Sequence, residues 1–312
     1  MSRIPFLSSI RYPLIAILAV FVLCTAALLV NGWLYPPSAP LKNAVFLIGD
    51  KQHRSLGYFD GTRMRAVSYD RKNFFEIARH DGDVYAILED DDGSADIFKV
   101  GGPVPVPVTH DGKPKRDLSL SEDGRYIAFS YVAGAPDPAL TAKGQFDIAP
   151  YTLAVFDTED GSTKEFGNRA HPNFLGGTRL FCISAEGFET LDIVSGERSL
   201  LPGPAAARSV LEQPVMGADG MFLMSEVPLP DWRFGLFRIT STDPLRFDFV
   251  ASLVPPNGML GTAAAFDGDR AYLAVVSRSD GMQKVFSRAA DGTLRPILTL
   301  PADTPQIRSF LF

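Results

Sequence analysis

Any chemistry this chain performs has to come from a small set of side chains. Its 312 residues include four histidines, His53, His80, His110 and His171, and two cysteines, Cys24 and Cys182. No two histidines stand at i, i+2 or i, i+4, and neither HExxH nor CxxC occurs, so no single segment offers the clustered ligands that zinc requires. Taken singly, each histidine reads as a loop residue; a site assembled from separate segments is invisible to spacing. The acidic run from Glu89 to Asp96 places carboxylates at alternate positions, as a calcium loop does, but lacks the glutamate that completes such a loop. It reads as a solvated hairpin tip. Cys182 lies among Leu180, Phe181 and Ile183 and reads as packing rather than as a nucleophile. Acid and base work needs two carboxylates in one pocket, which linear order does not reveal. No Gly-x-Ser-x-Gly elbow is present, and neither a metal nor a cofactor is expected.

Composition narrows the partners. The net charge of −6 and the absence of a basic stripe argue against nucleic acid, whose binding draws on clustered Lys and Arg. With 46% hydrophobic residues the chain can bury a substantial core. Residues 13–35 read PLIAILAVFVLCTAALLVNGWLY, and no charged residue occurs from Pro13 through Leu41. About 20 apolar residues at helical rise cross the hydrocarbon layer, so 13–35 is expected to be a transmembrane helix. Its 17-residue apolar stretch from Leu14 to Val30 is long for a cleaved signal, and Val30-Asn31-Gly32-Trp33 is a poor cleavage site. Arg3 and Arg11 keep residues 1–12 in the cytoplasm by the positive-inside bias, which places everything after the span outside. The proline-rich stretch 36–41 forms a stiff spacer. With Cys24 in lipid, an internal disulfide is not expected.

The remaining residues, 42–312, show almost no helical periodicity. They are short runs of alternating apolar residues separated by Asp-Gly, Gly-Gly and similar punctuation. The clearest is 116–132, RDLSLSEDGRYIAFSYV, a β-hairpin around Ser121-Glu122-Asp123-Gly124. Variants of it recur, with first-hairpin turns at Gly82, Gly124, Gly177, Gly220 and Gly268, 42, 53, 43 and 48 residues apart. A period in the forties with four strands per unit predicts a β-propeller. The opening unit, 43–48 onward, lacks its innermost strand, and the C-terminal run 306–312 (QIRSFLF) lacks a partner. Joining them completes a sixth blade and removes the open edges. The fold class is therefore all-β: a six-bladed propeller of four antiparallel strands per blade, closed by the C-terminal strand and preceded by one transmembrane helix.

Residues 119–130 (SLSEDGRYIAFS) resemble the repeat of TolB-type propellers, the WD40-like family marked by a Ser-Pro-Asp-Gly turn before an apolar Ile-Ala-Phe strand. Residues 91–100 and 277–298 are similar to the second half of that repeat. Here Glu122 replaces the usual proline, the fourth unit lacks the Asp-Gly turn, and the α/β domain that precedes the TolB propeller is not seen. The resemblance implies a bacterial periplasmic setting, in keeping with 21 Arg against 9 Lys, which suggests a GC-rich genome.

In a four-stranded blade the connections between second and third strands and between successive blades emerge on one face. The connections at 133–150 and 228–233 are long, and His53, Arg54 and His110 fall on the same face. Long loops on a rigid scaffold are where binding residues sit. With Phe146, Trp232 and Arg233 on the long loops, the expected binding residues are Trp232, Arg233, Phe146, His110, His53 and Arg54. The expected function is a non-enzymatic, membrane-anchored module that binds another envelope protein. The alternatives are a lyase- or lactonase-type propeller enzyme with a metal in the channel, and a small-molecule or glycan binder.

Overall fold

A computed structural model describes residues 44–50, 53–59, 64–70, 72–135, 137–142, 147–202, 215–216, 220–225, 234–242, 244–267 and 270–311. Residues 41–312 form one compact unit. The expected transmembrane helix at 13–35, its spacer and Cys24 lie outside the described residues. Among those described, no helix is long and apolar enough to cross a membrane.

The described chain is built almost entirely from four-stranded antiparallel sheets, six in number. The first holds β1 (Val45–Gly49), β2 (Arg54–Phe59) and β3 (Met64–Val67), and the second β4 (Lys72–His80), β5 (Asp83–Asp90), β6 (Ala95–Val100) and β7 (Val106–Pro107). The third holds β8 (Lys115–Leu120), β9 (Tyr126–Val132), β10 (Tyr151–Asp157) and β11 (Thr163–Glu165), with the short helix α1 (Pro138–Ala142) in its long connection. In the fourth are β12 (Arg169–Gly176), β13 (Arg179–Ser184), β14 (Gly187–Asp192) and β15 (Arg198–Pro202). The fifth comprises β16 (Val215–Met216), β17 (Met221–Ser225), β18 (Phe234–Thr242) and β19 (Leu245–Leu253). The sixth has β20 (Met259–Asp267), β21 (Arg270–Ser277), β22 (Gln283–Arg288) and β23 (Leu294–Leu300), and β24 (Ile307–Leu311) returns to the first sheet.

Sequence pattern accounts for the layering. Second strands such as β9 and β13 are continuous apolar runs because neighbouring sheets cover both their faces, whereas the fourth strand β11 is exposed along its length. The tight hairpin between β4 and β5 uses Asp81 and Gly82 at φ 48° and 82°, the left-handed pair that matches strand twist. Between sheets the core is aromatic in places: Phe181, Phe188, Phe222, Phe237 and Phe247 stack or meet edge-on where the fourth and fifth sheets pack. The second and third sheets are stapled by Lys115, whose buried ammonium donates to the Ala95 carbonyl at 2.8 Å, to Asp96 at 3.0 Å and to Asp111. Asp96 thus serves the interior, while Asp91 and Asp92 stay exposed at the hairpin tip.

First strands touch in the order β24, β4, β8, β12, β16, β20 and back to β24, so they enclose a central channel. The seam is the antiparallel pairing of β24 with β1, in which Phe46 faces Phe310 and Leu47 faces Ser309. Both phenylalanines are buried and their rings stack at 5.6 Å. Phe310→Ala should therefore remove about 3–5 kcal/mol of unfolding free energy. Urea denaturation of the full-length protein measures it, and a loss below about 1 kcal/mol would mean that the seam carries little of the stability.

Candidate functional site

Five of the six first strands carry a β-bulge. The extra residue is Phe75 in β4, lies at Asp117-Leu118 in β8 and at His171-Pro172 in β12, and is Thr262 in β20 and Arg308 in β24. A bulge re-aims side chains at the point where pairing slips, which is why bulges gather beside functional sites. Among the described residues only Asp81, Asp117 and His171 combine a side chain with positive φ, and the last two, at 64° and 54°, sit on adjacent first strands. Such backbone costs of order 1–3 kcal/mol per residue and persists where the surroundings impose it.

The bulges bring together Glu76, Asp117 and His171. Asp117 Oδ1 lies 2.9 Å from His171 Nδ1, and Asp117 Oδ2 accepts the His171 backbone N–H at 3.1 Å. The Asp117 backbone N–H in turn donates to the Glu76 carboxylate, so each strand hands a donor to the acid on the strand before it. Burial first, then the charge of Asp117, pushes the Glu76 carboxyl up to about 7. Burial would also raise Asp117, but the imidazolium of His171 and hydrogen bonds from it and from Ser130 hold that carboxyl below its usual range. Burial works against the charged form of His171, yet Asp117 and Glu76 outweigh it and raise its pKa. Tyr151 stacks obliquely on His171 at 6.4 Å, and its phenol is raised by burial and then by Asp117. The assembly is a proton-sharing cluster able to donate or accept near neutral pH. Among the described residues, no group of three His, Cys, Asp or Glu side chains is arranged to hold a metal ion.

Beside the acids is a basic rim at the face where second strands end and third strands begin. The guanidiniums of Arg54 and Arg116 lie over the Phe75 ring at 4.9 and 3.7 Å from its centroid. Arg116 pairs with Glu89 at 3.2 Å. Burial, then Arg308, lowers the pKa of Arg54.

Of the six residues expected from sequence, Arg54 is on this rim. His53 precedes it and is exposed, its backbone N–H donating to Asp50 at 2.8 Å. His110 is exposed on the connection between β7 and β8. Phe146, Trp232 and Arg233 lie outside the described residues. The expectation that every histidine is a loop residue is corrected: His80 ends β4, and His171 is buried on β12, drawn into the strand by its bulge and its bond to Asp117. Fourth-unit pairing accordingly begins at Arg169. Sequence reasoning missed Glu76, Asp117 and Arg308. The available signal was a charged residue inside an otherwise apolar first strand, and at His171 a following proline, which strand interiors tolerate only at edges and bulges.

The titrations set a pH dependence. The fold favours protonated Glu76, so its contribution is complete below about 4.5 and is lost as pH rises through about 7. His171, raised above 6.5, contributes in the same direction, while the contribution of Asp117 is present above 3.8 and is lost as pH falls through its lowered value. Unfolding free energy should therefore decline between about pH 4.5 and pH 7, with Glu76 supplying on the order of 3 kcal/mol. Glu76→Gln should flatten that slope; equal slopes in wild type and variant, by urea titration, would remove Glu76 from the account.

No protein-family model matches the chain, and no curated protein matches it in sequence. Its fold is similar to the crystal structure of TolB from Acinetobacter baumannii, with TM-score 0.55 and 14% identity over 86% of this chain and 65% of that one. It is also similar to the structure of a putative TolB from Agrobacterium tumefaciens, with TM-score 0.54 and 14% identity over 85% of this chain and 91% of the other. The chain spans just under two thirds of the Acinetobacter protein. The resemblance carried by residues 119–130 thus extends to three dimensions, and the chain has the TolB-like β-propeller fold.

Proposed function

We propose that this protein is a membrane-anchored, extracytoplasmic propeller of six blades that binds another protein of a bacterial envelope through the face bearing Arg54, His53 and His110. The observation that carries this reading is the concentration of outward-reaching features on that one face. It holds the basic rim, the long connection with α1 and the exposed histidines, while the opposite face has tight turns such as Asp81-Gly82. A sheet scaffold with loops on one side presents a fixed surface at low entropic cost. The uncharged stretch at 13–35 after Arg3 and Arg11 supports the anchor and its orientation. The likeness to TolB supports the periplasmic setting.

One observation favours a second reading, a lyase- or lactonase-type enzyme or a small-molecule binder. The cluster of Glu76, Asp117 and His171 has the makings of a general acid–base site.

Photo-crosslinking in the native membrane tests the first reading. A photoreactive residue at position 53 or 110 should give one adduct of discrete mass, while positions 81 and 122, on the tight-turn face, should give none. Equal labelling on both faces, or none on either, would remove the support for a docking face.

A further inference from the structure

Two of the three arginines in the basic rim have no carboxylate ion-pair partner among the described residues, and their geometry is specific. Arg308 donates through Nε to the carbonyl of Gly49 at 3.0 Å, and Arg54 donates through Nε to the carbonyl of Asp50 at 3.1 Å. The carbonyls belong to consecutive residues at the end of β1, so two guanidiniums from distant parts of the chain are tethered side by side. Arg54 Nη1 is also committed, to the Phe75 carbonyl at 3.3 Å. Bonding through Nε leaves the outer N–H edge of Arg308 for another acceptor, and Arg54 keeps its Nη2 beside it. Among the described residues no carboxylate forms an ion pair with either one, whereas the third arginine of the rim, Arg116, has Glu89. The bulge in β24 is what turns Arg308 toward this point, and the hydrogen bond of Gly49 N–H to the Gln306 carbonyl at 2.9 Å fixes the strand below it.

Two like charges held together with their backbone bonds made and an edge left over constitute an anion site. We propose that the channel mouth binds a carboxylate across Arg54 and Arg308. A carboxylate presents two coplanar acceptor oxygens that match guanidinium edges, and it carries one charge. A dianion such as phosphate would set its second charge against Glu76, Glu89 and Asp117, which share the same end of the channel. The inference names the ligand chemistry of the face assigned above and rests on that reading only for its accessibility. Carboxylate could come from the C-terminus of a polypeptide or from a small organic acid.

The test is isothermal titration of the full-length protein in detergent with three probes: succinate, an unstructured pentapeptide with a free C-terminus, and the same peptide amidated. Saturable binding of a carboxylate probe, weakened at least tenfold in Arg54→Gln and in Arg308→Gln but unchanged in Arg65→Gln, is the expected result. Binding of the free-acid peptide without succinate assigns a polypeptide terminus; binding of succinate assigns a small acid. Equal binding of acid and amide peptides, no saturable binding of any probe, or retention of affinity in both rim variants would overturn the proposal. Should the rim variants fail to fold, phenylglyoxal labelling of wild type decides: carboxylate must slow modification of Arg54 and Arg308 relative to Arg65, and equal rates would refute it. Because this readout needs no protein partner, its failure is separable from failure of the crosslinking test.

Discussion

The pairing of β24 with β1 is the constraint on which everything else in the ring depends. A four-stranded sheet missing its innermost strand leaves a row of unsatisfied backbone groups facing the channel. By supplying that strand from residues 307–311, the chain satisfies those groups and seats Phe310 on Phe46. It also brings β24 between β20 and β4, so that every first strand has neighbours on both sides. Only a closed ring holds the bulges at fixed spacing, and only fixed spacing lets Asp117 and His171 keep their left-handed backbone.

Charge is zoned within the channel by the same device. Each bulged residue on β4, β8, β12 and β24 departs from strict alternation by one position, and the departures place a ring, a carboxylate, an imidazole and a guanidinium where ordinary strands would repeat apolar contacts. The Asp117–His171 pair stays ionised because each supplies the counter-charge the other needs. Glu76, with Asp117 beside it, is left as the group whose proton is most easily exchanged at neutral pH. Elsewhere burial of charge is resolved structurally. Lys115 is surrounded by acceptors, and Glu189 meets Arg169, while the burial of Cys182 and then the Glu189 carboxylate push the Cys182 thiol up, making that sulfur a packing group.

Much of the fold was legible because its grammar is local. Asp123-Gly124 between two alternating runs announced a hairpin, and its repetition announced the architecture. The need for a seam followed from the mismatch between an opening unit without a first strand and a final run without a second. The channel site was not legible for the opposite reason. Glu76, Asp117 and His171 are 41 and 54 residues apart along the chain, near the repeat length itself, and are joined only by closure. The bulges also break the period of two on which a reading of strand faces relies. Arg54 was found because the sequence reads it as part of a connection, where exposure is the default, although it is the first, half-buried residue of β2; Arg308 was missed because QIRSFLF reads simply as a strand.

The seam also has a temporal consequence. Arg308 and Gly49 are 259 residues apart, whereas the first and second strands of the other blades are joined by a few residues. Chain entropy therefore orders assembly, with hairpins forming early and the closing joint late. Until it forms, the bulged strands on either side lack their final register. The molecule would then pass through a species rich in sheet yet without its acid cluster or its arginine pair, and acquire both in the last step of folding.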